Sequence, residues 1–328
     1  MRILMVGHYP PHKGGVARHV KELVECLRER HEVHVLTYGT VKVEEEGVYS
    51  VKVPNIFGLR GVSFVLLASK VIRRLHEKNA YDVIHAHYVG TTSYSSILSG
   101  VRPVVITAHG SDLEFMSKLP LGRYFVKESL IKADKVIAVS HYLAKKALAL
   151  GAREVKVIPN WTALSGRSER KAIVFLGRIA KYKGVDDFIK LAEHFPNEEF
   201  IIAGEGPRIK APENVRFLGY VRAEEVLSRA KILVLPSRRE GFGLVILEAN
   251  SFGVPVLGRA IGGIRELIRH GKNGYLFSTL EEAIEFLSHL LEGKEGVKRG
   301  TIGKRISTFY SLERACREIE KVYEEVVR

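Results

Sequence analysis

Glutamine is absent from this chain of 328 residues, and cysteine occurs only twice. Two cysteines are too few for a disulfide-stapled secreted scaffold. Cys26 and Cys316 lie far apart in helix-like segments, with neither CxxC nor metal-ligand spacing, so the expectation is a pair of buried or half-buried thiols in a reducing compartment. The missing glutamine, beside abundant Lys, Arg and Glu, is a bias seen in proteins of hyperthermophiles. Long apolar runs are missing as well. The opening MRILMVGHYPP breaks at Gly7 and Pro10, which gives neither a signal-peptide hydrophobic segment nor a membrane span, and a cytoplasmic protein is expected. Acidic residues are in deficit: 37 Asp+Glu against 51 Lys+Arg leave a net charge of +14, with the larger excess in residues 1–164. Such an excess suits a phosphate-bearing ligand, nucleic acid or an anionic membrane face.

With 46% hydrophobic residues the chain is long enough for two domains, each with a core. Short, nearly continuous Val/Ile-rich runs at 2–7, 32–38, 48–54, 82–87, 103–109, 135–140 and 155–159 read as strands covered on both faces. Amphipathic stretches at 15–30, 63–78, 122–132 and 141–150 read as helices between them. The polar NWTALSGRSERK then interrupts the pattern, and the rhythm restarts with strands at 172–177, 200–204, 215–219, 232–236, 254–258 and 275–277. Helices are expected at 185–195, 223–229, 243–252 and 264–269, and from 279 to the end. The fold class is α/β, with two Rossmann-like domains and a ligand cleft between them outside the carboxyl ends of the strands.

Every candidate site falls at the end of a strand. Gly14 and Gly15 end the PPHKGG turn just before a helix, where backbone N–H groups and the helix dipole favour an anion. A long turn needing glycine explains them equally well. G-x-G-x-x-G is absent here, which removes the main support for a dinucleotide enzyme. His109, in ITAHGSD, can reach a sugar hydroxyl from a strand end, although a lone histidine there is more often structural. His85 and His87 share one face of the preceding strand, and with no third ligand at credible spacing no zinc site is expected. FLGRIAKYKG places Arg178 and Lys183 where a guanidinium fork and an ammonium can converge on a diphosphate. In SRREGFGLVILEAN, Glu240 and Glu248 flank a glycine turn and a helix start. The two carboxylates address different parts of one elongated ligand, and Glu248, inside an apolar run, needs hydroxyl or cationic partners.

Taken together, these pieces resemble the retaining glycosyltransferases of family 4, which have the GT-B fold of two Rossmann-like domains with parallel sheets facing across a cleft. Glu240 and Glu248 reproduce the E-x7-E pattern. PPHKGG, HGSD, AVSHYLAKKAL, VIPN, FLGRIAKYKG, FLGYV and GVPVLGRAIGGIRELI follow in family order along nearly the whole chain. The resemblance implies an acceptor-side domain over 1–164, a nucleotide-sugar domain over 165–308 and a final helix over 309–328 packing back on the first. It implies no cofactor and no metal, and a UDP- or GDP-linked sugar as donor. Arg178, Lys183, Gly14 and Gly15 would meet the diphosphate, and Glu248 the ribose. Glu240, His109 and the backbone of Phe242, Gly243, Leu244 and Val245 would hold the sugar, and Tyr220 and Val221 the base. Catalytic roles fall to His109, Glu240, Arg178 and Lys183. Trp161 departs from the family, which commonly has glycine there.

The acceptor is expected to be a hydroxyl, on a lipid or a glycan. IFGLRGVSFVLL, with Lys70, Arg73 and Arg74 after it and Lys118, Arg123, Lys127 and Lys132 in the same domain, suggests docking to the inner face of the cell membrane. An amphipathic helix over a sheet explains that stretch as well. The rivals are a sugar-nucleotide epimerase, a phosphorylase and a non-catalytic sugar-nucleotide binder. No aromatic-interleaved basic patch or recognition motif supports a nucleic-acid partner.

Overall fold

The computed structural model describes residues 1–12, 14–39, 45–53, 60–293 and 309–328. It forms two compact units: Met1–Asn160 with Leu312–Arg328, and Trp161–Ser311.

In the first unit β1 (Arg2–Val6), α1 (Gly15–Arg28), β2 (Glu32–Tyr38), β3 (Val48–Val51), α2 (Arg60–Asn79) and β4 (Val83–His87) come first. There follow α3 (Thr91–Ser99), β5 (Val104–Ala108), α4 (Ser111–Glu114), α5 (Pro120–Lys132), β6 (Lys135–Ala138), α6 (His141–Ala149) and β7 (Val155–Val157). The strands form one parallel sheet in the order β3-β2-β1-β4-β5-β6-β7. All residues of β4 and β5 are buried, as continuous apolar runs require when helices cover both faces. α3 breaks the expected pattern because TTSYSSILS has no apolar stripe. Its hydroxyls satisfy themselves within the helix instead: Ser95 and Ser96 donate to the Thr92 carbonyl at 2.7 and 3.0 Å, and Ser99 to that of Ser96 at 2.6 Å. Small self-satisfied side chains let α3 pack closely against α2 and α5.

The second unit holds β8 (Ala172–Leu176), α7 (Val185–His194), β9 (Phe200–Ala203), β10 (Val215–Gly219), α8 (Ala223–Leu227) and β11 (Ala230–Leu235). It continues with α9 (Leu244–Ser251), β12 (Val256–Arg259), α10 (Ile264–Leu267), β13 (Gly274–Phe277) and α11 (Leu280–Glu292). Its parallel sheet runs β10-β9-β8-β11-β12-β13, over a core that includes Phe175, Phe188, Phe200, Ile202 and Phe277.

The last helix, α12 (Leu312–Val327), belongs to the first unit and lies against α1. The expectation of unbroken helix from 279 onward is corrected: α11 stops at a left-handed Gly293, and Tyr310 and Ser311 are not helical. α12 buries Ala315, Cys316, Ile319, Val322 and Tyr323 at helical spacing, worth roughly 1.5–3 kcal/mol for each large side chain. Glu320 accepts from Arg30 Nε at 2.8 Å and from Arg30 Nη2 at 3.0 Å. This packing also corrects the expectation of free thiols. It brings the Cys26 and Cys316 Cα atoms to 6.7 Å, and the two are joined as a disulfide across 290 residues. Of the apolar stretch singled out for membrane contact, residues 56–59 lie outside the described residues, and α2 carries the rest.

Candidate active site

In each sheet the connections run outward from a central strand pair, β1/β4 and β8/β11, and the loops after such a pair diverge to leave a crevice. In the second unit the loop after β8 carries Arg178 and Lys183, and the loop after β11 carries Glu240. Lys183 closes a short turn, Lys181–Lys183, that ends at Gly184 with φ +71°. A Cβ there would run into the Pro236 carbonyl oxygen, so only glycine lets the two loops approach. Arg238 then ties them together. Its backbone N–H donates to the Tyr182 carbonyl at 2.8 Å and its Nη1 to the Lys181 carbonyl at 2.7 Å. The same guanidinium forks onto Asp186 at 2.8 and 2.7 Å and reaches Asp187 at 2.8 Å, where Arg259 adds a bond of 2.7 Å.

That scaffold sets Lys183 Nζ 2.7 Å from Glu240 Oε2, with both side chains half-buried. The Glu240 carbonyl is held separately by the Gly263 N–H at 3.1 Å. Beyond it Gly243, at φ +92°, starts α9, and the first-turn N–H groups from Gly243 to Val245 face the helix N-terminus. Phe242 is buried, Leu244 and Val245 are half-buried, and Glu248 is buried on α9. Arg178 is exposed at the end of β8. Tyr220 is 64% exposed just past β10, with Val221 half-buried beside it.

In the first unit Gly14 and Gly15 are exposed at the start of α1. His109 follows β5 and is half-buried. Its position comes from Asp112, whose buried carboxylate accepts four backbone N–H groups: Val89 and His109 on Oδ2 at 2.9 and 3.0 Å, Gly110 and Leu113 on Oδ1 at 2.7 and 2.9 Å. Burial pushes the Asp112 carboxyl up, and the four donors pull it down. His109 Nε2 lies 3.2 Å from His87 Nδ1. The ring of His19, from α1, stands edge-on to His109 with centroids 4.7 Å apart. His85 is engaged at both nitrogens, by Tyr323 at 2.6 Å and Thr107 at 2.7 Å. Desolvation lowers all four imidazoles, His85 and His109 to about 3 and His19 and His87 well below the ordinary value, so the cluster is neutral at pH 7.

Sequence reasoning missed His19, which looks like one more core position on an amphipathic helix. It missed Arg238 and Asp187 because each reads as an ordinary surface charge. The third ligand that sequence spacing did not offer is present in space: one nitrogen each from His19, His87 and His109 lies within 4.8 Å of the others.

With this geometry in place, the relatives decide the family. An uncharacterised glycosyltransferase of Methanocaldococcus jannaschii is 31% identical over 99% of this chain and 99% of its own length. The chain is a family 4 glycosyltransferase. Residues 13–165 of this glycosyltransferase match the description Glycosyltransferase Family 4, and residues 162–299 match Glycosyl transferases group 1. The glycosyltransferase is also similar to N-acetyl-alpha-D-glucosaminyl L-malate synthase of Bacillus anthracis, at 27% identity over 97% of the chain and 96% of that protein. Its GT-B fold is shared with the Anabaena protein HepE solved with UDP and glucose. The TM-score is 0.82 at 19% identity, covering 99% of this chain and all of that one. Among the described residues no helix is long and apolar enough to cross a membrane.

Proposed function

We propose that this glycosyltransferase moves a hexose from a nucleoside-diphosphate sugar to a hydroxyl acceptor, with retention of anomeric configuration and without metal in the transfer step. The observation that carries the reading is the Lys183–Glu240 contact at the strand crossover of the second unit. There the ammonium can leave the carboxylate for a diphosphate, and the carboxylate can then accept from sugar hydroxyls. Lys183 and the exposed Arg178 fork stabilise the charge that develops on the departing diphosphate. Glu248 accepts from the ribose, Tyr220 and Val221 cover the base, and the backbone of Phe242 to Val245 holds sugar and phosphate. In the first unit, His109 is suited to donate to a sugar hydroxyl, and Gly14 and Gly15 offer backbone N–H groups to a phosphate. The acceptor hydroxyl attacks on the face the diphosphate leaves, and a donor phosphate oxygen takes its proton. UDP in HepE supports a UDP-linked donor, and a GDP-linked donor is the alternative.

A lipid-borne acceptor is supported by an apolar and basic surface on the first unit. Phe115, Leu119, Leu121 and Tyr124 are 42–55% exposed beside exposed Lys118, Arg123 and Lys127. Such a surface suits peripheral docking to an anionic cytoplasmic leaflet. Flotation with anionic liposomes should carry the protein upward and fall with salt; flotation insensitive to both lipid charge and salt would remove this part.

The deciding experiment is a panel of UDP-, GDP- and ADP-linked hexoses, scored by thermal stabilisation and slow release of nucleoside diphosphate. One donor should stabilise the protein and lose its effect with Lys183→Ala. A donor converted to its epimer, or turnover that requires inorganic phosphate, would overturn transfer. No response to any donor in folded protein would overturn the nucleotide-sugar reading itself.

A further inference from the structure

Three imidazoles from elements far apart in sequence converge in the first unit: His19 from the second turn of α1, His87 from the end of β4 and His109 from the turn after β5. One nitrogen of each lies within 4.8 Å of the other two. Around an ion with metal–nitrogen bonds of about 2.05 Å, tetrahedral ligands stand roughly 3.3–3.4 Å apart. His87 Nδ1 and His109 Nε2 already meet that spacing at 3.2 Å. The His19 ring closes the triangle, with its centroid 4.7 Å from His109 and 5.4 Å from His87. His87 is fully buried, and its Nε2 finds no hydrogen-bond partner among the described protein atoms. Ligation through Nδ1 would place the ring proton on Nε2 and give the contact with His109 a bridging atom. His85 stays outside the set because both of its nitrogens are taken.

From this geometry we infer that His19, His87 and His109 bind one divalent transition-metal ion of the Zn2+ class, with the fourth coordination position left open beside His109. The donor set argues for the class. Three uncharged nitrogen ligands suit Zn2+ or Co2+, whereas Mg2+ and Ca2+ require carboxylate or carbonyl oxygen. Burial of His19 and His87 limits approach from their side, and the half-buried His109 leaves the opening for a water or an oxygen ligand. Fixation is strong because each ligand sits on a different regular element or on the turn anchored by Asp112. A consequence rests on the transferase reading: the ion would engage His109, to which that reading gives a sugar contact, so metal and donor would compete.

The test is a Co2+ titration of the untagged, EDTA-treated 328-residue chain, read by the visible absorption of four-coordinate Co2+ and requiring no donor. One equivalent should bind, be displaced by Zn2+ and raise the melting temperature by mass action. His19→Gln and His87→Gln should each lose the signal while keeping the far-ultraviolet circular dichroism of the parent. Should either variant fail to fold, X-ray absorption of the Zn2+-loaded parent should count three imidazole ligands. No four-coordinate signal with tenfold excess Co2+ on folded protein would overturn the proposal. So would a signal that survives both substitutions, which would place the ion elsewhere, or fewer than three imidazoles in the absorption spectrum.

Discussion

At the scale of single residues, two carboxylates at the strand ends do opposite jobs. Glu240 meets one side-chain cation, Lys183, which can be exchanged for a ligand. Asp112 meets four backbone N–H groups that cannot move away. Their substitutions should therefore separate function from stability. Lys183→Ala removes one charge-assisted bond, worth roughly 1.5–3 kcal/mol, so donor affinity should fall about tenfold to a hundredfold. Its melting temperature should stay near that of the parent, a contrast that titration calorimetry and a thermal scan measure together. Asp112→Asn keeps the shape, but its NH2 group confronts two of the four donors. About 3 kcal/mol of stability should be lost, read by urea unfolding. The importance of Asp112 was not visible in HGSD, because the count of four donors comes from the way the chain turns after β5 and from Val89 after β4.

Elements owe their placement to small residues and to covalent and ionic ties. Gly184 allows the turn carrying Lys183 to lie against the end of β11, and Arg238 locks the two together. Arg238→Ala should leave the apolar core of the second unit in place and weaken donor binding, because Lys183 then samples positions away from Glu240. Arg238→Lys should restore little, since an ammonium cannot reproduce the fork onto Asp186. A binding curve for each variant, beside its unfolding curve, checks both statements. In the first unit α12 is tied to α1 by the Cys26–Cys316 bond as well as by packing. A crosslink spanning 290 residues constrains the unfolded chain strongly, so Cys316→Ser should lower stability by about 2–4 kcal/mol. Adding a thiol reductant should then change the parent and leave the variant unaffected. Strands were legible as continuous Val/Ile runs because both faces of a parallel sheet are covered. α3 was not legible, because a serine-rich helix has no stripe to read until α2 and α5 are beside it.

For the whole molecule the buried histidines set the response to acid. His19, His85, His87 and His109 are kept neutral by burial in the folded state, whereas in the unfolded chain they titrate near their ordinary value of about 6.5. Below that value the unfolded state binds more protons. The stability these groups contribute is present above pH 6.5 and is lost as pH falls toward about 3, where His85 and His109 titrate when folded. Metal-free protein should therefore unfold more easily with each step down from pH 6.5, at up to about 1.4 kcal/mol per pH unit for each histidine. His85→Gln should make that slope shallower, and urea midpoints across the pH series measure it. The sequence by itself determined the α/β class, the two-unit organisation, the family and the positions of Arg178, Lys183, Glu240, Glu248 and His109. Periodicity and strand-end motifs are local properties that a linear text preserves. Only the tertiary structure decided that Lys183 meets Glu240, that Cys26 meets Cys316 and that His19 joins His87 and His109. Each of those contacts joins segments many residues apart, and their distance is fixed by strand order and helix packing, which no local pattern records.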